Sequence, residues 1–268
     1  MPFVFLNLNP CVMGPHSNQQ LPDSFASPYP NSLAVVPARM GSTRLPGKML
    51  ADLGGKPLVV RTWEACCATR LFERVLVATD HPDILRVVEE AGGEGMLTDP
   101  GHNSGSDRLA EVAGQVEADL YVNVQGDEPF VTRACLHPLM ELFTDQAVRV
   151  GSLMSRIRSA EEYENPSVVK VVCNHLGDAL YFSRAPIPYA RGGGIPSEVH
   201  RHIGVYAFRR DALRAFTRLA PSATEQAEML EQLRLLHWGY SIRMACVDPP
   251  EAGIDTPEDL IRARLRFA

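Results

Sequence analysis

The sequence contains no Cys-x-x-Cys pair. Its six cysteines (Cys11, Cys66, Cys67, Cys135, Cys173 and Cys246) are scattered or directly adjacent. Neither a zinc site nor a dithiol motif is signalled, and reduced, core-filling thiols are expected, as in a cytoplasmic protein. No apolar run approaches the roughly 20 residues that span a bilayer, so no membrane partner is expected. Basic residues are in deficit, 26 against 32 acidic ones, and the net charge of −6 repels phosphate backbones. A nucleic-acid partner is therefore not expected. No Lys or Arg precedes Arg39, and Asn7, Asn9 and Pro10 cut off the short apolar patch Phe3–Leu6. That excludes a secretory signal, and residues 1–32 read as a disordered N-terminal extension. Internal repeats and low-complexity tracts are also missing. What remains is a 33–268 segment, within a chain that is 45% hydrophobic, long enough to bury one large core.

From Leu33 onward short apolar runs alternate with amphipathic ones. Leu33–Pro37, Val75–Ala78 and Leu120–Val124 read as buried strands, with a shorter one near Met96. Helices are predicted from Pro57 to about Arg70, from Pro82 to the Gly92-Gly93 stop, and from about Asp107 to Val116. This repetition predicts an α/β fold with a mainly parallel central sheet flanked by helices. The stretch 165–210 differs: Val168–Val172, Ala179–Phe182 and His202–Phe208 are strand candidates with little helix between them. They read as a small hairpin-rich subdomain or an addition to the sheet edge. Helices over Asp211–Leu219 and Glu225–His237, a strand near Ile242–Val247 and a last helix from Pro257 complete the chain.

The segment Pro37-Ala38-Arg39-Met40-Gly41-Ser42-Thr43-Arg44-Leu45-Pro46-Gly47-Lys48 follows the first strand, where ligands bind in open α/β sheets. Arg39 and Arg44 can fork onto phosphate oxygens, and Lys48 adds a compact charge. Gly41 and Gly47 let backbone amides approach the same oxygens. Five residues separate those glycines and Met49 follows Lys48, so this is not a Walker loop.

The segment resembles the Pro-Ala-Arg-x-x-Ser-x-Arg-Leu-Pro-x-Lys signature of sugar cytidylyltransferases, most closely those acting on 3-deoxy-manno-octulosonate (Kdo). The likeness continues, in order, through Val77–His81, Ser104–Glu111, Asn123–Pro129, Val168–Val172, Tyr181–Pro188, Arg201–Tyr206, Met229–Arg234 and Gly253–Leu260. It implies a Rossmann-like nucleotide-diphospho-sugar transferase fold. It also implies transfer of CMP from CTP to the anomeric hydroxyl of Kdo, for lipopolysaccharide assembly, by a homodimer.

Asp127 follows the Leu120–Val124 strand and should emerge beside the phosphate loop. A carboxylate facing a triphosphate suits Mg²⁺, which prefers one or two carboxylates plus phosphate oxygens. Asp255 reads two ways: a charge favouring the start of the helix that Thr256 and Pro257 open or, as the resemblance implies, a second metal-contacting carboxylate. The expected catalytic residues are thus Arg39, Lys48, Asp127 and Asp255. The resemblance further places Arg44 and Ser104 on the nucleotide, and Gln125, Arg184, His202, Tyr206, Glu231 and Gln232 around the sugar acid. Taken singly, His202 and Tyr206 could be ordinary inward-facing strand residues, and Glu225, Glu228 and Gln232 the wet face of a helix. A nucleotide-sugar-binding module without catalysis is the competing class. It would be favoured by loss of Lys48 or Asp127, and both are present.

Overall fold

The computed structural model describes residues 31–102 and 104–267. The N-terminal extension therefore lies, but for its last two residues, outside the described residues. Strand β1 (Ser32–Ala38) is buried at every position, as an unbroken apolar run requires when both sheet faces are covered. Beside it run β2 (Arg74–Thr79), β3 (Glu94–Leu97) and β4 (Leu120–Asn123), parallel and ordered β3-β2-β1-β4. Helices α1 (Leu58–Ala68), α2 (Pro82–Glu90) and α3 (Gly105–Gln115) connect them. Alternation along β1 sends Val36 and Ala38 into the core layer of α1 and α2, and Leu33 and Val35 into that of α3. All four strands end at the same edge, because β1 is in register with both neighbours (Ala38 opposite Thr79, Val35 opposite Asn123).

The second half departs from the expected plan. Its elements are α4 (Arg133–Glu141), β5 (Val150–Arg156), α5 (Ala160–Glu164), β6 (Lys170–Cys173), β7 (Ala179–Ser183), β8 (His200–Arg209), α6 (Arg210–Phe216), α7 (Ala223–Glu228), α8 (Leu233–His237), β9 (Arg243–Cys246) and α9 (Pro257–Arg264). Strand β8 is no edge addition. It runs antiparallel between β4 and β5 in the middle of the sheet, and β9 follows β5 in parallel. The sheet is therefore mixed, and only the β6–β7 hairpin hangs off its path, through two residues of β8.

Strand β5 escapes a hydrophobicity reading because Gly151 and Ser152 occupy its middle. A β-carbon on Gly151 would stand 2.9 Å from the Phe143 ring, and Ser152 Oγ donates to the Val205 carbonyl at 2.9 Å. Helix α4 carries Pro138 in its interior, a breaker on sequence grounds. The helix expected over Glu225–His237 is two. Helix α7 stops where Met229 turns left-handed (φ 53°), and α8 restarts at Leu233. Cys66, Cys67, Cys135 and Cys173 are free thiols. Among the described residues no helix is long and apolar enough to cross a membrane.

Candidate active site

Residue Arg39 leaves the end of β1 at the common strand edge. The loop it opens closes on a left-handed Gly47 (φ 68°), which turns the chain into a short 3₁₀ segment, Lys48–Leu50. The turn tucks Lys48 inward, leaving it buried. Its ammonium donates to Asp127 Oδ2 at 2.5 Å and to Asp255 Oδ1 at 3.1 Å. The second of these oxygens also accepts from Arg44 Nη2 at 3.0 Å.

Two devices hold Asp255 there. The Ile254 amide donates to the Asp127 carbonyl at 2.9 Å. The chain comes this close because residue 253 is glycine, where a β-carbon would lie 2.9 Å from Glu128 Oε1 and 3.0 Å from the Asp127 carbonyl. Immediately afterwards Thr256 and Asp259 form a capping box with Pro257 at the first helical position, as the sequence indicates. Asp259 Oδ2 also accepts the Asp255 amide at 3.1 Å. Asp255 thus both precedes a helix, the first of its sequence readings, and faces Lys48.

These groups line a cleft of about 240 Å³ together with Arg39, Ser104, Gln125, His102 and Arg108. Beside it lies a smaller hollow lined by Tyr206, Glu231, Gln232 and Ser106. Glu231 joins the two, accepting Ser104 Oγ at 2.8 Å and Ser106 Oγ at 3.0 Å. Burial raises its pKa, against those serine hydrogen bonds. The break at Met229 is what aims Glu231 at α3.

Tyr206 buries a hydroxyl without a well-directed partner among the described residues, and burial pushes its pKa well up. His202 is 5.2 Å from it, ring to ring, and 5.1 Å from Phe182. Its Nε2 meets Ser152 Oγ at 3.0 Å, and burial lowers its pKa to about 3, so the ring is neutral. A bulge in the β5–β8 pairing after Ser152 brings His202 and Tyr206 to that one serine.

Arg184 is not brought into either hollow. Its guanidinium donates to the carbonyls of Glu228 at 2.8 Å and Pro166 at 3.1 Å. Nor do Glu225 and Glu228 form a wet helix face: Glu225 binds Arg234, and Glu228 accepts Ser183 Oγ and the Arg184 amide.

Sequence reasoning did not single out three residues at this site, His102, Arg108 and Glu128. His102 Nε2 meets Glu111 Oε2 at 2.6 Å on the cleft wall. Arg108, almost fully buried, pairs with Asp80. Glu128 stands behind Asp127, its pKa raised to about 7 by burial and then by Asp127 and Asp255. For Arg108 and Glu128 a charge inside a quoted motif is the sequence signal, and His102 lies outside those motifs.

Among the described residues no three or more His, Cys, Asp or Glu side chains group to hold a metal. The protein instead offers two carboxylates, Asp127 and Asp255, converging on one cation. Such an oxygen donor pair fits a hard ion that draws its other ligands from phosphate and water.

A cationic loop at the strand edge facing paired carboxylates across a cleft defines a nucleotidyltransferase-type site. A family model described as cytidylyltransferase matches residues 33–242. A 3-deoxy-manno-octulosonate cytidylyltransferase of Polynucleobacter necessarius is 47% identical over 90% of this chain and 98% of its own length. One of Geobacter metallireducens is 44% identical over 85% and 94%. A solved CMP:2-keto-3-deoxy-manno-octonic acid synthetase complexed with CTP superposes with a TM-score of 0.85 at 44% identity, covering 88% of this chain and 98% of that one. An inositol-1-phosphate CTP transferase from T. maritima, at 17% identity and a TM-score of 0.63, shares the fold. The chain belongs to the 3-deoxy-manno-octulosonate cytidylyltransferase family.

Proposed function

We propose that the chain transfers CMP from CTP to the anomeric hydroxyl of Kdo, giving CMP-Kdo and pyrophosphate for lipopolysaccharide assembly in the cytoplasm. One observation carries the reading: Lys48, Asp127 and Asp255 meet at the mouth of the phosphate loop. A Mg²⁺ ion held by the two aspartates supplies charge neutralisation on the phosphate oxygens when bound. Arg39, Arg44 and Lys48 hold the triphosphate and stabilise the charge that gathers on the departing pyrophosphate. A new bond forms between the anomeric oxygen and the α-phosphorus as that hydroxyl gives up its proton to water and the bond from the phosphorus to the pyrophosphate oxygen breaks. Positioning supplies most of the acceleration in such a transfer.

Ser104 and Gln125 both line the larger cleft, Gln125 there rather than in the smaller hollow with the other residues expected around the sugar acid. The Tyr206 hydroxyl, Glu231 and Gln232 offer donors and acceptors for sugar hydroxyls in the adjoining hollow, with neutral His202 behind them. The sugar carboxylate reaches Arg184 only if its guanidinium leaves the Glu228 and Pro166 carbonyls. The hairpin-rich region exposes Leu176, Leu180 and Tyr189, and this apolar surface supports a homodimer formed there.

The test combines purified protein, CTP, Mg²⁺ and one sugar acid at a time while pyrophosphate is followed. Release with Kdo and not with N-acetylneuraminate is expected. CTP binding without turnover on any acidic sugar overturns the reading in favour of a binding module.

A further inference from the structure

Asp80 lies within the Val77–His81 motif, directly after the last residue of β2, and nothing in the proposed transfer uses it. Its Oδ1 accepts the Met40 amide at 3.0 Å. Its Oδ2 accepts Arg108 Nη2 at 2.8 Å. Arg108 Nη1 in turn donates to Thr98 Oγ1 at 2.6 Å, and that hydroxyl reaches the Thr79 carbonyl at 3.1 Å. One carboxylate thus ties the phosphate loop, the ends of β2 and β3, and the first turns of α3.

The Arg108 side chain is 3% exposed and that of Asp80 16%. A buried ion pair is not needed for stability, since apolar residues of similar volume do as well or better. Its location suggests another use. Arg39, Gly41 and Arg108 all line the large cleft, and the amide that Asp80 grips lies between the first two.

We propose that Asp80 is a positioning residue for the nucleotide. Through the Met40 amide it fixes the Arg39–Gly41 stretch, and through Arg108 it fixes a second, adjoining part of the lining of the same cleft. The free protein thereby presents its triphosphate site already shaped, which lowers the ordering cost of binding. This rests on the CTP reading above.

The experiment measures CTP binding in the presence of Mg²⁺ by calorimetry for the wild type, Asp80→Asn, Arg108→Gln and the double variant. Thermal midpoints and the KM for Kdo are measured alongside. Each single change is expected to raise the Kd for CTP about 10- to 100-fold, the loss of a charge-assisted hydrogen bond. The double variant is expected to be no worse than the poorer single one, because both changes break one device. Its neutral pair recovers the wild-type midpoint but not CTP affinity, and KM for Kdo stays within about twofold in any variant that turns over.

Wild-type CTP affinity in the double variant, or losses that multiply, overturns the proposal. Should Asp80→Asn fail to fold, the double variant alone decides on the same two criteria, midpoint and Kd. A wild type that neither binds CTP nor turns over sinks the functional reading instead.

Discussion

The two halves of the site are built on opposite electrostatic plans. At the nucleotide end Lys48, Arg44, Asp127 and Asp255 face one another as full charges, and Arg44 is largely exposed. At the sugar end His202 is held uncharged, Tyr206 is buried, and burial raises the pKa of Glu231. A triphosphate with a divalent ion brings concentrated charge and is met by charges of both signs held around the buried Lys48 ammonium. A sugar brings hydroxyls, and these are best discriminated by buried groups that suffer if left unpaired.

The largest effect should come from the charged half. Asp127→Asn leaves the Lys48 contact as a hydrogen bond but removes one carboxylate from the pair. Turnover is expected to fall roughly 10²- to 10³-fold, the scale on which preorganised electrostatic groups act, with an unchanged thermal midpoint. Pyrophosphate release at a near-normal rate would remove Asp127 from the mechanism and with it the contrast between the halves.

A smaller effect belongs to Glu231. Glu231→Gln can still accept from one of Ser104 and Ser106 and donate its amide to the hydroxyl of the other, so α3 keeps its anchor. The KM for Kdo should rise about tenfold, the cost of one hydrogen bond to the substrate, while KM for CTP moves little. If CTP affinity falls instead, the Ser104–Glu231 bond couples the hollows and the two halves are one unit.

Gly253→Ala sharpens the comparison from the backbone. A new methyl group 2.9 Å from Glu128 Oε1 must push the Asp255 loop from Asp127. We expect a loss of about 1–3 kcal/mol in stability from overpacking and a fall in turnover, both visible in denaturant melts and pyrophosphate assays. A silent substitution would show that the two aspartates need not be held so close.

The same contrast explains what was legible in the sequence. The charged half was, because phosphate chemistry demands Arg and Lys on one loop after a strand, and Thr256-Pro257 announces the helix that follows Asp255. The parallel half of the sheet was equally plain from its unbroken apolar runs. The sugar half is assembled across long separations. Glu231 meets Ser104 only because Met229 adopts a left-handed turn inside what reads as a continuous helix. Likewise His202 and Tyr206 reach Ser152 only through a bulge between β8 and β5. Strand β5 itself hides behind Gly151 and Ser152, whose small side chains answer to Phe143 and to the Val205 carbonyl. The Asp80–Arg108 pair sat inside two quoted motifs, yet nothing in their spacing said that it joined them.

The smallest effect concerns stability against pH, and it isolates the sugar half. An unfolded His202 binds a proton near pH 6.5, whereas in the fold its pKa is about 3. As pH falls below about 6.5 the unfolded state therefore takes up a proton that the folded state refuses. Stability contributed by this residue is intact above that pH and lost on the way down to about 3, at up to ~1.4 kcal/mol per pH unit. His202→Gln, which still offers Ser152 a partner, should melt at a lower temperature than the wild type at pH 7.5. It should lose less of its midpoint between pH 6.5 and 4.5. Parallel curves for the two proteins over that range would mean that the imidazole already carries its proton in the folded state. The sugar end would then be a charged site like its neighbour.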